Sequence, residues 1–411
     1  MIQIYVILLL EVQHFCLPYL QKRTMDQSYI TNHLGEERNQ YFQAVSPPII
    51  QSSNFAFTSV HQMRESIKDE LNTPLYTRGC NPTVAILRKK IAALAGGEDA
   101  LVLSSGSAAV SAAVTAQVSH GDHIICVAHP YGWTNKLLDI TLKRFNVTTT
   151  FIDGKKVEHF KNAIQQNTKL IILESPNSIT YELQDIKAVA TLAKQHNITT
   201  IIDNSYASPI YQKPLEMGID ISVHSATKYL AGHSDVVAGV IIGSKAHIRK
   251  IFQGEYMTFG AVISPNDAWL MLRSLRTLSI RLQHITQNTE QVVSYLKKHI
   301  QVKKLYYPFD EDNPQYNLAK QQMTAAPGLF SIEIKATNIA EVEQFVDALK
   351  LFHLAVSWGG YESLVFPLCV LTTSENYSFS TRPFNLIRFS VGLDNPKELI
   401  KDLDLAFSKI E

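Results

Sequence analysis

The sequence predicts an α/β protein: a large domain on a mostly parallel sheet, followed by a smaller α+β domain. Three observations predict it. Seven short apolar runs rich in β-branched residues, each closed by a turn or helix signal, recur between residues 100 and 244. Helical segments separate several of them, and continuous apolar runs of this kind read as strands covered on both faces. From about residue 275 the rhythm changes, and the length of 411 residues suits one large domain plus a smaller one.

The elements follow in order. "IYVILLL", Ile4 to Leu10, is too short to span a bilayer, which takes about 20 apolar residues. It also lacks the preceding basic residue and the following small-residue site of a secretory signal. Residues 1–24 are therefore expected to be a non-native or upstream extension, with Met25 as the physiological start. A polar, irregular arm, residues 25–78, comes next. "NPTVAILRKKIAALAGG" then reads as an amphipathic helix with Asn81 as N-cap, Pro82 in the first turn, apolar Val84, Leu87, Ile91 and Leu94, and a Gly96-Gly97 stop.

The apolar runs are "ALVLSS", "DHIICVA", "VTTTFID", "KLIILES", "ITTIIDN", "DISVHS" and "AGVIIGS". "DIKAVATLAKQ", with Ile186, Val189, Ala190 and Ala193 at helical spacing, is one of the helices between them. This large domain is assigned residues 79–274. A helical stretch from Pro265 leads into residues 275–411, where "GLFSIEIK", "LAVSW" and "LIRFSVG" read as strands and "EVEQFVDALK" and "PKELIKDLDLAFSKI" as helices.

Composition narrows the function classes. A formal net charge of +1 gives no reason to expect nucleic acid, whose recognition needs clustered Lys and Arg. Cys16, Cys80, Cys126 and Cys369 form no CxxC pair, so neither a disulfide framework nor a zinc site is suggested, and a reducing compartment fits. A small-molecule ligand is the expected partner, with no metal.

In open parallel sheets ligands sit beyond the carboxyl ends of the strands, so the residues just after each apolar run matter most. After "LVL" come Ser104, Ser105, Gly106 and Ser107, opening a small-residue helix whose backbone N–H groups and dipole suit a phosphate. Alone, such a turn is more often only a cap. After "TTII" comes Asp203, alone more often a turn residue. Lys228 follows Ser225 and Thr227 beyond the next strand, and Tyr131 follows "DHIICVAHP". Together these match the needs of pyridoxal phosphate: a lysine to hold its aldehyde, an acid for its ring nitrogen, donors for its phosphate and an aromatic face for its ring. Ser225 to Lys228 also fits S-x-x-K, the nucleophile signature of serine β-lactamases, but the S-D-N and K-T-G partners of that signature are missing.

On these residues and on "SPPIIQSSNFAF", "LYTRGCNPT", "IIDNSYASPIYQKPLEMGIDISVHSATKYLAGHSD", "LRSLRTLSIRL" and "SWGGYESL", the chain resembles the Cys/Met-metabolism family of pyridoxal-phosphate enzymes. That family has the aspartate-aminotransferase-like fold, fold type I, and the likeness covers roughly residues 28–411. It implies that Lys228 binds the cofactor covalently, Asp203 pairs with its ring nitrogen and Tyr131 stacks on its ring. It further implies that Ser105, Gly106, Ser107, Ser225 and Thr227 hold the phosphate, joined by Tyr76 and Arg78 from a neighbouring subunit. Arg388 would clamp the substrate carboxylate, with Ser357 and Trp358 beside it. A cytoplasmic homotetramer built from dimers with shared active sites follows from the same likeness.

The resemblance is nearest to the cystathionine β-lyases, through "ESPNSIT", "SWGGYESL" and "GLDNPKELIKDLDLAF". It implies β-elimination of L-cystathionine to homocysteine, pyruvate and ammonia, a step of trans-sulfuration and methionine biosynthesis. Lys228 would take the Cα proton and, with Tyr131, protonate the leaving sulfur. Val356, where those lyases carry tyrosine, and "GWTNKLL", closer to the γ-type enzymes, leave cystathionine γ-synthase or a γ-lyase of the methionine type as the alternative. Trp133 is expected to narrow the substrate pocket. A non-catalytic pyridoxal-phosphate protein is the remaining reading.

Overall fold

The structure is a computed structural model that describes residues 25–371 and 382–410. The expectation for residues 1–24 lies outside the described residues.

All seven apolar runs form strands: β1 (Asp99–Leu103), β2 (His123–Val127), β3 (Thr148–Ile152), β4 (Thr168–Glu174), β5 (Thr199–Asp203), β6 (Ile221–Ser225) and β7 (Gly239–Gly243). They make one sheet in the order β1-β7-β6-β5-β4-β2-β3. β6, β5, β4, β2 and β3 run parallel, and β7 alone is antiparallel, to β6 on one side and β1 on the other. β2 is buried at every position, as a strand covered on both faces must be.

Helices cover both faces because their apolar stripes require it. The helix Pro82–Leu94, capped by Asn81 Oδ1 accepting from Thr83 N at 3.0 Å, buries Leu87 and Ile91 fully. Truncating either to alanine would cost about 2–5 kcal/mol through lost burial and the cavity left behind. Helix Gly106–Thr115 presents Ala109, Val110, Ala112 and Ala113 to the opposite face, so its small side chains let it lie close to β6 and β7. Helix Ile186–Gln195 buries Ile186, Val189, Ala190 and Ala193 as its spacing predicts.

The helical stretch from Pro265 divides into Pro265–Leu275 and Leu278–Leu296, broken at Arg276-Thr277. Beyond it lies a five-stranded sheet in the order β10-β11-β12-β9-β8, from β8 (Val302–Tyr306), β9 (Leu329–Ile334), β10 (His353–Leu354), β11 (Leu364–Pro367) and β12 (Leu386–Ser390). Helices Ile339–Ala348 and Pro396–Phe407 pack on one another beside it.

Three local readings differ. Of "LAVSW" only Leu354 lies in a strand, β10, with Ala355 N–H still donating to Val365 O at 3.1 Å, because Val356 to Trp358 then leaves the sheet to reach Lys228. β8 and β11 went unread: β8 is an edge strand with exposed lysines whose apolar Val302 and Leu305 are only partly buried, and β11 is short and ends on Pro367. The arm holds the helices Gln27–Asn32 and Val60–Ile67, the second buried nowhere along its length. Among the described residues no helix is long and apolar enough to cross a membrane, and no cluster of His, Cys, Asp or Glu could hold a metal.

Candidate active site

Beyond the carboxyl ends of β4, β5 and β6 lies a cavity of about 230 Å³. Ser105, Gly106, Ser107, Tyr131, Asp203, Ser225, Thr227, Lys228, Trp358 and Arg388 all line it. Ten residues singled out along the chain thus meet at one place.

The phosphate end is a property of the backbone. Ser105 caps helix Gly106–Thr115, its Oγ accepting from Ala108 N at 3.1 Å, so the first N–H groups of the helix face outward unpaired by the cap. Gly106 sits against the end of β6: a Cβ there would lie 2.8 Å from Ser225 Cβ and 2.9 Å from Ser225 Oγ. Any larger residue would fill the cradle between the two strand ends. With the hydroxyls of Ser105, Ser107 and Ser225, this donor set fits a dianionic phosphate. Thr227 fits less directly, since its Oγ1 exchanges hydrogen bonds with the backbone of Ala238, donating to its carbonyl at 3.2 Å and accepting from its N–H at 3.0 Å.

Asp203 ends β5. Ser205 donates to Asp203 Oδ1 through its backbone N–H at 2.9 Å and its hydroxyl at 2.6 Å, which leaves Oδ2 for a cationic partner. Ser205 Oγ also accepts the N–H of Ser225 at 2.6 Å, tying the acid to the strand that leads to the lysine. Burial raises the Asp203 pKa, with Lys228 pulling the other way. A buried acid with one oxygen left over suits a protonated ring nitrogen, whose charge would repay the cost of burial.

Lys228 stands in the turn after β6. Its Nζ donates to Ser357 Oγ at 2.9 Å and lies 5.4 Å from the centre of the Trp358 ring. Burial, then the positive charge of Arg388, lowers its pKa to about 8, against the opposing pull of Asp203. Gly359, at φ +82°, turns the chain so tightly that a Cβ would come within 3.1 Å of Tyr229 N and 3.3 Å of Lys228 Cβ. That turn is what brings Ser357 and Trp358 against the lysine.

Arg388 projects from β12, in register with Ser331 of β9 and Phe366 of β11. Its Nη2 donates to Val356 O at 2.7 Å, and its guanidinium carbon lies 5.1 Å from the Phe366 ring centre. The rest of the fork suits a planar carboxylate.

Not every expected residue joins the cavity. Tyr76 and Arg78 lie in the arm, stacked on one another at 5.5 Å and outside the cavity of their own chain. Trp133 is not among the residues that line the cavity; it is the second residue of the short helix after Tyr131, with Lys136 Nζ 5.0 Å from its ring, and it lines an adjoining apolar groove that shares Ser107 and Val110 with the cavity. Val356 is exposed and outside the lining, its carbonyl serving Arg388 instead. Two residues were missed. Ser205 carries no motif. Glu174 was legible by the rule that found Asp203, since it too is the first acid after an apolar run.

A family model described as Cys/Met metabolism PLP-dependent enzyme matches residues 29–408. An L-methionine gamma-lyase of Fusobacterium nucleatum subsp. nucleatum is 37% identical over 92% of this chain and 97% of its own length. A cystathionine beta-lyase of Lactococcus lactis subsp. cremoris is 35% identical over 92% and 97% respectively. Of solved structures, that of metB from Corynebacterium glutamicum superposes with a TM-score of 0.88 at 31% identity, covering 94% of this chain and 99% of the other.

Proposed function

Because the chain belongs to the pyridoxal-phosphate-dependent enzymes of Cys/Met metabolism, we propose that its cavity carries out carbon–sulfur elimination on sulfur-containing L-amino acids, with β-elimination of L-cystathionine as the reaction. The observation that carries this reading is the convergence of Lys228, Asp203 and Arg388 on one cavity. A base, a ring-nitrogen acid and a carboxylate clamp are what removal of an α-proton from an amino acid requires.

When bound, pyridoxal phosphate supplies an electron sink for the charge left on the substrate's Cα. The chain's residues do the rest. Ser105, Gly106, Ser107, Ser225 and Thr227 would hold the cofactor's phosphate. Asp203 would keep its ring nitrogen protonated, and Tyr131 would stack on its ring. Arg388 takes the α-carboxylate and so orients the Cα–H bond toward Lys228. With a pKa of about 8, roughly a tenth of the Lys228 amine is free base at pH 7, far more than for an ordinary lysine. It is positioned to take the Cα proton and, with Tyr131, to return a proton to the departing thiolate, while Ser357 keeps the amine in place between the two transfers. Water then converts the three-carbon product to pyruvate and ammonia. Tyr76 and Arg78 would complete the phosphate site of a neighbouring copy in a homotetramer.

The similarity to L-methionine gamma-lyase supports a second reading, γ-elimination, in which the same lysine removes a further proton from Cβ. One assay separates them. The purified protein, loaded with pyridoxal phosphate and given L-cystathionine or L-methionine, should release pyruvate and homocysteine from the first. Formation of 2-oxobutyrate from either substrate, without pyruvate, would overturn β-elimination in favour of the γ-reaction.

A further inference from the structure

Glu174 is the last residue of β4, is buried, and lines the cavity. The β4–β5 ladder pairs it with Asp203, so strand register alone sets two acids side by side at the cavity wall. Its two oxygens are separately engaged. Oε2 accepts the backbone N–H of Tyr131 at 2.6 Å, and Oε1 accepts the backbone N–H of Ser178 at 3.2 Å. These amides belong to different loops, one after β2 and one after β4, and both loops line the cavity. One side chain thus ties two walls of the site together.

A carboxyl in this place is costly. Burying an acid without a compensating cation costs several kcal/mol, and a neighbouring acid adds to it. Burial, then Asp203, pushes the Glu174 pKa up to about 8, against the pull of the two amides and the Ser178 hydroxyl. Leucine or methionine would fill the volume at lower cost but would leave both N–H groups without an acceptor. What a carboxyl group offers, and an amide with its single oxygen does not, is an acceptor for each of two diverging donors. The Tyr131 side chain is 45% exposed at the cavity wall, and its backbone is fixed there by the bond to Glu174.

We infer that Glu174 is a positioning residue for Tyr131, holding that backbone so that the phenol keeps its place over the cofactor ring. The inference rests on the reading that the cavity holds pyridoxal phosphate with Tyr131 against the ring. Glu174 acts through Tyr131 and touches no reacting atom. In Glu174→Gln only one oxygen remains, so one of the two amides loses its acceptor, whereas Glu174→Asp keeps both oxygens on a shorter stem.

The experiment uses the holoenzyme of the wild type, Glu174→Gln, Glu174→Asp, Tyr131→Ala and the Glu174→Gln/Tyr131→Ala double variant. Visible circular dichroism of the bound cofactor, which reports how the ring is held, is read beside the Kd for pyridoxal phosphate from fluorescence titration. Glu174→Gln should lose several-fold in dichroic amplitude and in cofactor affinity, Glu174→Asp should lose less, and the double variant should be no worse than Tyr131→Ala. Wild-type dichroism and Kd in Glu174→Gln, or losses in the double variant that equal the two single losses combined, would overturn the inference. A wild-type protein with no visible cofactor band would instead overturn the functional reading on which it rests.

Discussion

Lys228 Nζ, carried by the large sheet, donates to Ser357 Oγ, carried by the segment between β10 and β11 of the small sheet, at 2.9 Å. The amine proposed as the base is therefore held by a residue from the other sheet, and its position depends on how the two halves meet. Hydrogen bonds to charged groups contribute about 1.5–3 kcal/mol. Ser357→Ala should accordingly lower kcat for pyruvate release about tenfold or more, with cofactor affinity little changed. An unchanged kcat would remove Ser357 from the role of holding the amine.

The state of that amine sets how fast the protein captures its cofactor. Burial and Arg388 hold Lys228 near 8, below the usual lysine range, so it loses its proton while surface lysines keep theirs. Mixing the cofactor-free protein with pyridoxal phosphate across pH 6.5 to 10 should give a capture rate that climbs and levels off with a midpoint near 8. Borohydride reduction followed by peptide mass mapping should place the label on Lys228. A midpoint near 10 would mean that the surroundings do not hold the lysine neutral.

Asp203 should matter through its charge and not its shape. Asp203→Asn keeps an oxygen for the Ser205 donors but removes the negative partner for a protonated ring nitrogen. Losing one partner of a buried charged pair costs about 2–5 kcal/mol. Pyruvate release should fall by about 30-fold or more while the cofactor is still captured covalently. A variant with near wild-type turnover would exclude Asp203 from the ring-nitrogen position.

How much of this was legible in the chain follows from the physics of each element. β1, β2, β4 and β7 could be read because strands buried on both faces are apolar almost without interruption, as in "IICV" and "LIIL", whereas β3, an edge strand with no buried position, was legible only through its run of β-branched threonines. β8 could not, because Lys303 and Lys304 face solvent at a sheet edge and break the pattern. Lys228, Asp203 and the Ser105 turn could be read because strand ends are where ligands bind. The pairing of Glu174 with Asp203 could not, since it depends on β4 and β5 being neighbours, which strand order decides and sequence order does not. The place of Trp133 depends likewise on local geometry: the step from Tyr131 into a helix sets it in the groove that adjoins the cavity.

Glu174 also gives the fold a pH signature of unusual sign. Burial, then the neighbouring Asp203, raises its pKa from 4.5 to about 8, so between those values the folded chain holds on this pair of acids a proton that the unfolded chain has released. Stability contributed this way is fully present below about 4.5 and is lost as pH rises through 8, by at most about 1.4 kcal/mol per pH unit. This is opposite to the effect of the buried His224, whose pKa falls to about 3 and whose contribution is lost as pH falls. From pH 6.5 to 8 the histidine is silent and the glutamate acts alone of the two. In cofactor-free protein the thermal midpoint should therefore drop more steeply over that range for the wild type than for Glu174→Gln, whose amide cannot ionise. Parallel slopes would show that Glu174 ionises near its ordinary value, held charged by the amides of Tyr131 and Ser178.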